Sequence, residues 1–231
     1  MGRIGTIPLL MLWASSLLYT SGCKENLLQA RPNKGDAITL PKPSHSSAVS
    51  VEETLQKRRS IRRYKDEQLT LAEVSQLLWA AQGITASWGG RTAPSAGALY
   101  PMEIYLVAGK VEGLEAGVYR YNPKEHVITK QREGDARQKV SDAALGQEVI
   151  RDAPISLILA AVYERTTRKY GQRGIRYVHI EVGHVGQNIY LQAETLGLGT
   201  VMVGAFYDQK VKDILGLDNE EPLGIMPVGR R

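Results

Sequence analysis

Four arginines and a hydroxyl fall within seven residues, Arg58-Arg59-Ser60-Ile61-Arg62-Arg63-Tyr64. That density makes an anion site. Guanidinium forks match a phosphate dianion bidentately and stay charged at any working pH. Taken alone, the run reads better as a solvated basic turn at a helix end, where arginine also suits the C-terminal dipole. A second segment, Ala93-Pro94-Ser95-Ala96-Gly97-Ala98-Leu99-Tyr100-Pro101, is built of small residues and prolines. Small residues let a backbone approach a flat ring, and prolines stiffen the loop. It reads equally as an ordinary helix-to-strand loop. In the third segment, Gly197-Leu198-Gly199-Thr200-Val201-Met202-Val203-Gly204-Ala205-Phe206, a helix stops and a short strand follows. Gly204-Ala205 leaves room for a ligand beside the backbone, although a helix cap running into a core strand would look the same.

Metal chemistry has little support. His179 and His184 are five residues apart, about 140° around a helix, so they do not share a face. With Glu181 they read as helix positions, His184 near the substrate side, and no metal is assigned. Cys23 is the only cysteine, which excludes an intramolecular disulfide and a Cys/His zinc site.

The elements that must position these segments are legible in outline. Ser50-Val51-Glu52-Glu53 and Thr70-Leu71-Ala72-Glu73 fit capping boxes, predicting helices over 51–58 and from 71 to Gly83. Glu103–Ala108 reads as a strand. Val118–Tyr121 and Val127–Lys130 form a hairpin about Asn122-Pro123. Ile155–Val162 is an apolar run expected of a strand buried on both faces. Tyr177–Leu196 is a long helix with Val178, Val182, Val185, Ile189, Ala193 and Leu196 on one side, capped by Gly197. Thr200–Val203 is a short strand, Gln209–Leu215 a helix ended by Gly216, and Ile225–Val228 a last strand. The segment Ala136–Asp152 reads either as a helical cover over the site or as ordinary packing. Strands and helices without regular alternation predict an α+β fold. No GxGxxG follows a strand and no GxxxxGK[ST] occurs, which removes Rossmann and P-loop readings.

The N-terminus stands apart. Arg3 precedes an apolar run from Ile7 to Leu18, then Thr20-Ser21-Gly22-Cys23. This pattern predicts an export signal over 1–22, and Ser21-Gly22-Cys23 resembles a lipobox, making Cys23 a candidate lipid anchor. The protein is then expected to be exported, as a membrane-anchored lipoprotein or in the periplasm; without a real signal it would be cytoplasmic. Residues 23–48, with Pro32, Pro41 and Pro43, read as a flexible tether, leaving 49–231 as one domain. The formal net charge of +5 is mild. No basic run is interleaved with aromatics, so no nucleic-acid partner is expected.

Together and in this order, the three segments resemble the nitroreductase superfamily, most closely its SagB-type dehydrogenase branch, which includes the azoline oxidases of thiazole and oxazole peptide biosynthesis. The resemblance runs from about Val51 to the C-terminus. It implies an α+β fold with a central, mostly antiparallel sheet flanked by helices, dimeric, with FMN at the subunit interface. It assigns Arg58, Arg59, Ser60 and Arg62 to the FMN phosphate and ribityl chain. Pro94, Ser95, Ala96, Gly97 and Leu99 would lie against the isoalloxazine ring, and Met202, Val203, Gly204 and Ala205 on its far side. Arg230 would be a second basic contact to the phosphate. Lys169-Tyr170, within Arg168–Gly174, resembles the pair those oxidases use for proton transfer; on its residues alone the stretch is a basic loop before a helix. The implied function is hydride transfer between FMN and a small organic or peptide-derived substrate. Two alternatives are an NAD(P)H-dependent nitro or quinone reductase and a tethered flavin-binding protein with little turnover. A surface interaction lipoprotein of unrelated fold ranks last, since it leaves three ordered segments as coincidence.

Overall fold

The computed structural model describes Gly2 and residues 37–231. The segment read as an export signal, and Cys23, lie outside the described residues. Among the described residues no helix is long and apolar enough to cross a membrane.

One antiparallel sheet organises the chain. Its strands are β1 (Ala37–Thr39), β2 (Met102–Ala108), β3 (Gly117–Asn122), β4 (Val127–Glu133), β5 (Ile155–Ala161), β6 (Leu198–Thr200) and β7 (Glu221–Arg230), in the spatial order β1-β4-β3-β2-β5-β7-β6. The β3–β4 turn is closed by the Lys124 amide donating to Asn122 Oδ1 at 3.0 Å, the side-chain turn that asparagine favours. Side chains alternate faces as a strand demands. Ile104 and Leu106 of β2, with Leu157 and Leu159 of β5, enter one core; Tyr105, Val107, Ile158 and Ala160 enter the other. Every residue of β5 is buried because both faces are covered, which explains its unbroken apolar sequence.

Helices α1 (Val51–Lys57), α2 (Leu71–Gln82), α3 (Arg137–Ala143), α4 (Glu148–Asp152), α5 (Glu164–Tyr170), α6 (Arg173–Thr195) and α7 (Asp208–Leu215) supply the covers. Buried residues of α2 and α6 pack on the first face, and those of α3, α4 and α7 on the second. At the start of α2 the capping box is complete: the Glu73 amide donates to Thr70 Oγ1 at 3.2 Å, and the Thr70 amide to Glu73 Oε2 at 2.8 Å. At α1 only half forms. The Glu53 amide donates to Ser50 Oγ, but the Glu53 carboxylate is taken by Lys57.

Three sequence expectations change and one open alternative gains detail. Residues 37–48 are not a loose tether. β1 pairs with β4, Leu40 is buried, and the Ser44 backbone exchanges two hydrogen bonds with the Gln76 side chain. A short β-branched stretch, Ala37-Ile38-Thr39, found an open strand edge that composition does not reveal. Arg168–Tyr170 is the end of α5 rather than loop, and α6 begins earlier, at Arg173. The strand expected at Thr200–Val203 is displaced to Leu198–Thr200, with Val203 making an isolated bridge to Ile225. The 136–152 segment, for which the sequence allows a cover or packing, sends Val140, Ala143 and Ile150 into the core of the second face and Gln147 to the Ala205 carbonyl.

The arginine segment is joined to the sheet edge. Ile61 N donates to Thr200 O at 2.9 Å, and Ser60 forms a parallel bridge with Thr200. A Cβ added at Gly199 would sit 2.6 Å from Ile61 Cγ2. We therefore expect Gly199→Ala to cost about 1–3 kcal/mol by overpacking, read as a lower midpoint in urea with an unchanged slope. An unaffected midpoint would mean that this junction is slack.

Candidate functional site

All three chemistry-bearing segments attach to α6. Tyr190 Oη accepts from the Met202 amide at 2.8 Å and lies 3.1 Å from Ser60 Oγ, joining the first segment to the third. The Arg58 guanidinium stands over the Tyr190 ring, 5.1 Å from its centroid, a cation–π contact that leaves its charge uncancelled. Two residues earlier, Asn188 Nδ2 donates to Thr92 O and Ala80 O at 3.2 and 3.1 Å, tying the chain that enters the second segment and α2 to the same helix.

Arg58 is half-buried, while Arg59, Ser60 and Arg62 are exposed. Arg59 Nη1 donates to Gln56 O and Arg58 O. Among the described residues, none of Arg58, Arg59, Arg62 and Arg63 forms an ion pair with a carboxylate. Four guanidiniums without anionic partners form a donor set that suits an anionic ligand. In the third segment Met202 is half-buried, Val203 is buried and bonded both ways to Ile225, and Gly204 and Ala205 are exposed. A Cβ at Gly204 would meet nothing within 4 Å. Ala205 O accepts from Gln147 Nε2 at 3.0 Å.

The second segment is strained. Ala96–Ala98 forms a single 3-10 turn, and Gly97, Ala98 and Tyr100 have φ of 63°, 54° and 46°. Left-handed backbone at Ala98 and Tyr100 is costly and persists only where surroundings enforce it. Here Tyr100 N donates to Ser95 Oγ at 2.9 Å, Arg165 Nη1 donates to Tyr100 O at 3.1 Å, and the Arg91 guanidinium stacks 4.5 Å from the Tyr100 ring centroid. Arg165 is in turn fixed by Glu103 at 2.5 Å. Leu99, half-buried, caps the turn.

Lys169 and Tyr170 face this loop. A Cβ at Gly97 would lie 2.7 Å from Tyr170 Oη and 3.0 Å from Lys169 Nζ. The Tyr170 ring packs edge-on against Tyr177 of α6, 5.1 Å between centroids. Tyr177 also lines a cavity of about 240 Å³ bounded by Pro94, Ser95 and Ala96 of the loop and by Ile180, Glu181 and His184 of α6. Glu181 is 2% exposed. Burial pushes its carboxyl up to about 7, against the opposing pull of Ser95, Arg91 and Gln82. Burial likewise lowers the Arg91 pKa, against Glu103 and Glu181.

Arg230 departs from expectation. Its Nη1 and Nη2 grip Glu73 Oε1 and Oε2 at 2.9 and 3.1 Å, and its Nε lies 3.4 Å from Glu67. A guanidinium held bidentately by a half-buried carboxylate is a structural tie between β7 and α2, not a free phosphate contact. Among the described residues, no three His, Cys, Asp or Glu side chains converge as a metal site would need; His179 Nε2 lies 2.6 Å from Tyr163 Oη. Sequence reasoning passed over Asn188, Tyr190 and Arg91, and weighed Glu181 only as a metal ligand. Only Glu181 gave a signal: it falls between Val178 and Val185 on the apolar stripe of α6, where an acid has no ordinary reason to be.

Comparison with known proteins places this geometry. The model of the nitroreductase family matches residues 55–230. A nitroreductase-like protein of Methanocaldococcus jannaschii is 51% identical over 197 residues, which are 85% of this chain and 98% of that protein. A nitroreductase-like crystal structure from Anabaena variabilis superposes with a TM-score of 0.75 at 32% identity, over 85% of this chain and 42% of that one. The microcin B17-processing protein McbC of Escherichia coli is 29% identical over 133 residues, 55% of this chain and 49% of McbC. This chain thus spans less than half the length of the last two. The likeness to such processing proteins supports the SagB-type branch.

Tyr190→Phe would leave the Met202 amide without its acceptor and Ser60 without its partner. The expected cost is about 1 kcal/mol, with faster amide exchange at Met202 than at Val203. Unchanged exchange at Met202 would show that Tyr190 does not tie the third segment down.

Proposed function

The chain belongs to the nitroreductase family, and from that premise we propose that it is an FMN-dependent oxidoreductase acting on a small organic or peptide-derived substrate. The observation that carries this reading is the attachment, to one helix, of an unpaired arginine set and a strained small-residue loop facing Lys169 and Tyr170. The residues fit the cofactor. Arg58, Arg59 and Arg62, with the Ser60 hydroxyl, offer donors to the phosphate and ribityl chain. Pro94–Gly97 offers a side-chain-poor surface for a flat ring, and open space beside Gly204 suits close approach on the other side. When bound, FMN supplies the hydride acceptor and donor.

What falls to this chain is binding, orientation and the proton. Oxidising a carbon–heteroatom bond by hydride loss requires a proton to leave the neighbouring atom. Lys169 Nζ and Tyr170 Oη lie side by side against Gly97, and either one, in its deprotonated form, would serve as the acceptor. Support for a peptide-derived substrate is the likeness to a protein named for processing microcin B17. Support for a second reading, an NAD(P)H-dependent nitro or quinone reductase, is the greater identity to the archaeal nitroreductase-like protein. Homodimerisation with FMN at the interface belongs to the proposal on family grounds. The export signal and the Cys23 anchor belong to it on sequence alone.

The purified protein is expected to be yellow, or to become so on adding FMN, and Arg59→Ala is expected to lose the flavin while staying folded. A folded, colourless protein that takes up no FMN would overturn the reading. With azoline-bearing model peptides as substrates, Lys169→Ala and Tyr170→Phe should lower turnover by about 10²–10⁴-fold with FMN retained. Full turnover in both variants would reduce the pair to packing.

A further inference from the structure

Glu181 has no place in the roles above, yet it is the least ordinary side chain near the loop. It sits on the buried stripe of α6 and lines the cavity beneath Pro94–Ala96. Three buried side-chain atoms without a hydrogen-bond partner, Gln82 Nε2, Arg91 Nε and Glu181 Oε1, belong to one cluster of interacting groups. Its fourth member, Ser95, opens the strained turn and accepts from the Tyr100 amide. Native proteins rarely leave buried polar groups unpaired, and such a cluster has a reason specific to its site.

We propose that Glu181 is a positioning residue for the Pro94–Gly97 loop: as a neutral acid between α6, α2 and the loop it seats the loop, and its ionisation unseats it. A neutral carboxyl carries one donor beside its acceptors; a carboxylate offers acceptors only. A charge there must also be solvated. The existing cavity of about 240 Å³ between the loop and α6 gives water its entry, and water there prises the loop from the helix. The loop has a reason to move once released, since Ala98 and Tyr100 are held in left-handed conformations.

The charged and titratable groups around Glu181 are Arg91 ahead of the loop, Tyr177 and His184 on its own helix, and Tyr170 and Lys169 beyond Gly97. Gln82 on α2 and Ser95 complete the neutral shell. The sign follows from burial. The folded protein holds the Glu181 proton up to about pH 7, whereas the unfolded chain releases it near the ordinary value of 4.5. The folded state therefore binds more protons between these values, so global stability declines as pH rises from 4.5 to about 7; within the folded protein the loop stays seated until that proton leaves, as pH rises past about 7. Glu181→Gln keeps a neutral side chain of the same shape at every pH and should not show this decline.

The deepest test uses the flavin reading. FMN affinity is measured by fluorescence quenching from pH 6 to 9 on the full wild-type chain and on Glu181→Gln, compared at each pH so that titration of the FMN phosphate cancels. If only the seated loop binds, the wild-type Kd weakens towards tenfold per pH unit above 7, while the variant stays flat relative to it. Histidines change charge in the same range, so His184→Asn is the control and should follow wild type. Parallel slopes in wild type and Glu181→Gln would overturn the proposal. If neither protein binds FMN at any pH, the flavin reading fails and loop protection decides. Amide exchange at Ala96–Tyr100, corrected for its intrinsic pH dependence, should then lose protection from pH 6 to 8 in wild type relative to β5. Constant protection would reject the positioning role, and this measurement needs no folded variant.

Discussion

The long helix α6 is the constraint on which the site depends. It lies on the sheet through Val178, Val185 and Ile189, and its other positions are then free to hold loops. Asn188 fixes the chain entering the second segment, and Tyr190 fixes the first and third with one hydroxyl. A helix of 23 residues anchored on a sheet keeps such groups in register over about 34 Å. Three segments far apart in sequence thereby share one rigid reference, which loop-to-loop contacts would not provide.

Around that reference the polar groups divide by burial. The arginines near Ser60 keep their charge towards solvent and, among the described residues, pair with no carboxylate. Arg91, Glu103 and Arg165 form a partly buried network that holds the strained turn in place. The two sets serve opposite ends. Unpaired exposed cations attract an anion, whereas paired and stacked cations fix a backbone that would otherwise relax. Arg230 belongs to the second kind although the sequence suggested the first.

Much of the fold was legible because local chemistry and tertiary packing agree there. Thr70–Glu73, the Asn122-Pro123 turn, the apolar run of β5 and the Gly216 stop each form as patterned. The N-terminal stretch 37–48 was misread because its strand exists only where β4 offers an edge. The end of α5 was hidden by a polar sequence with no apolar period. Arg230 and Glu73 lie 157 residues apart, and no local pattern announces such a pair. The order of the three segments pointed to the site, but not the way they are held. Tyr190 looks like any half-buried aromatic until its hydroxyl is seen between two loops.

Among the described residues the outermost strands of the sheet, β1 and β6, are three residues long. Beyond Thr129, the last residue of β4 paired with a described residue of β1, β4 continues with Lys130, Gln131, Arg132 and Glu133. At the opposite side Ser60 closes part of the β6 ladder. Short, charged or occupied edges give a foreign strand little backbone to template on. Among the described residues, the edges of the sheet thus give edge-to-edge growth little to build on.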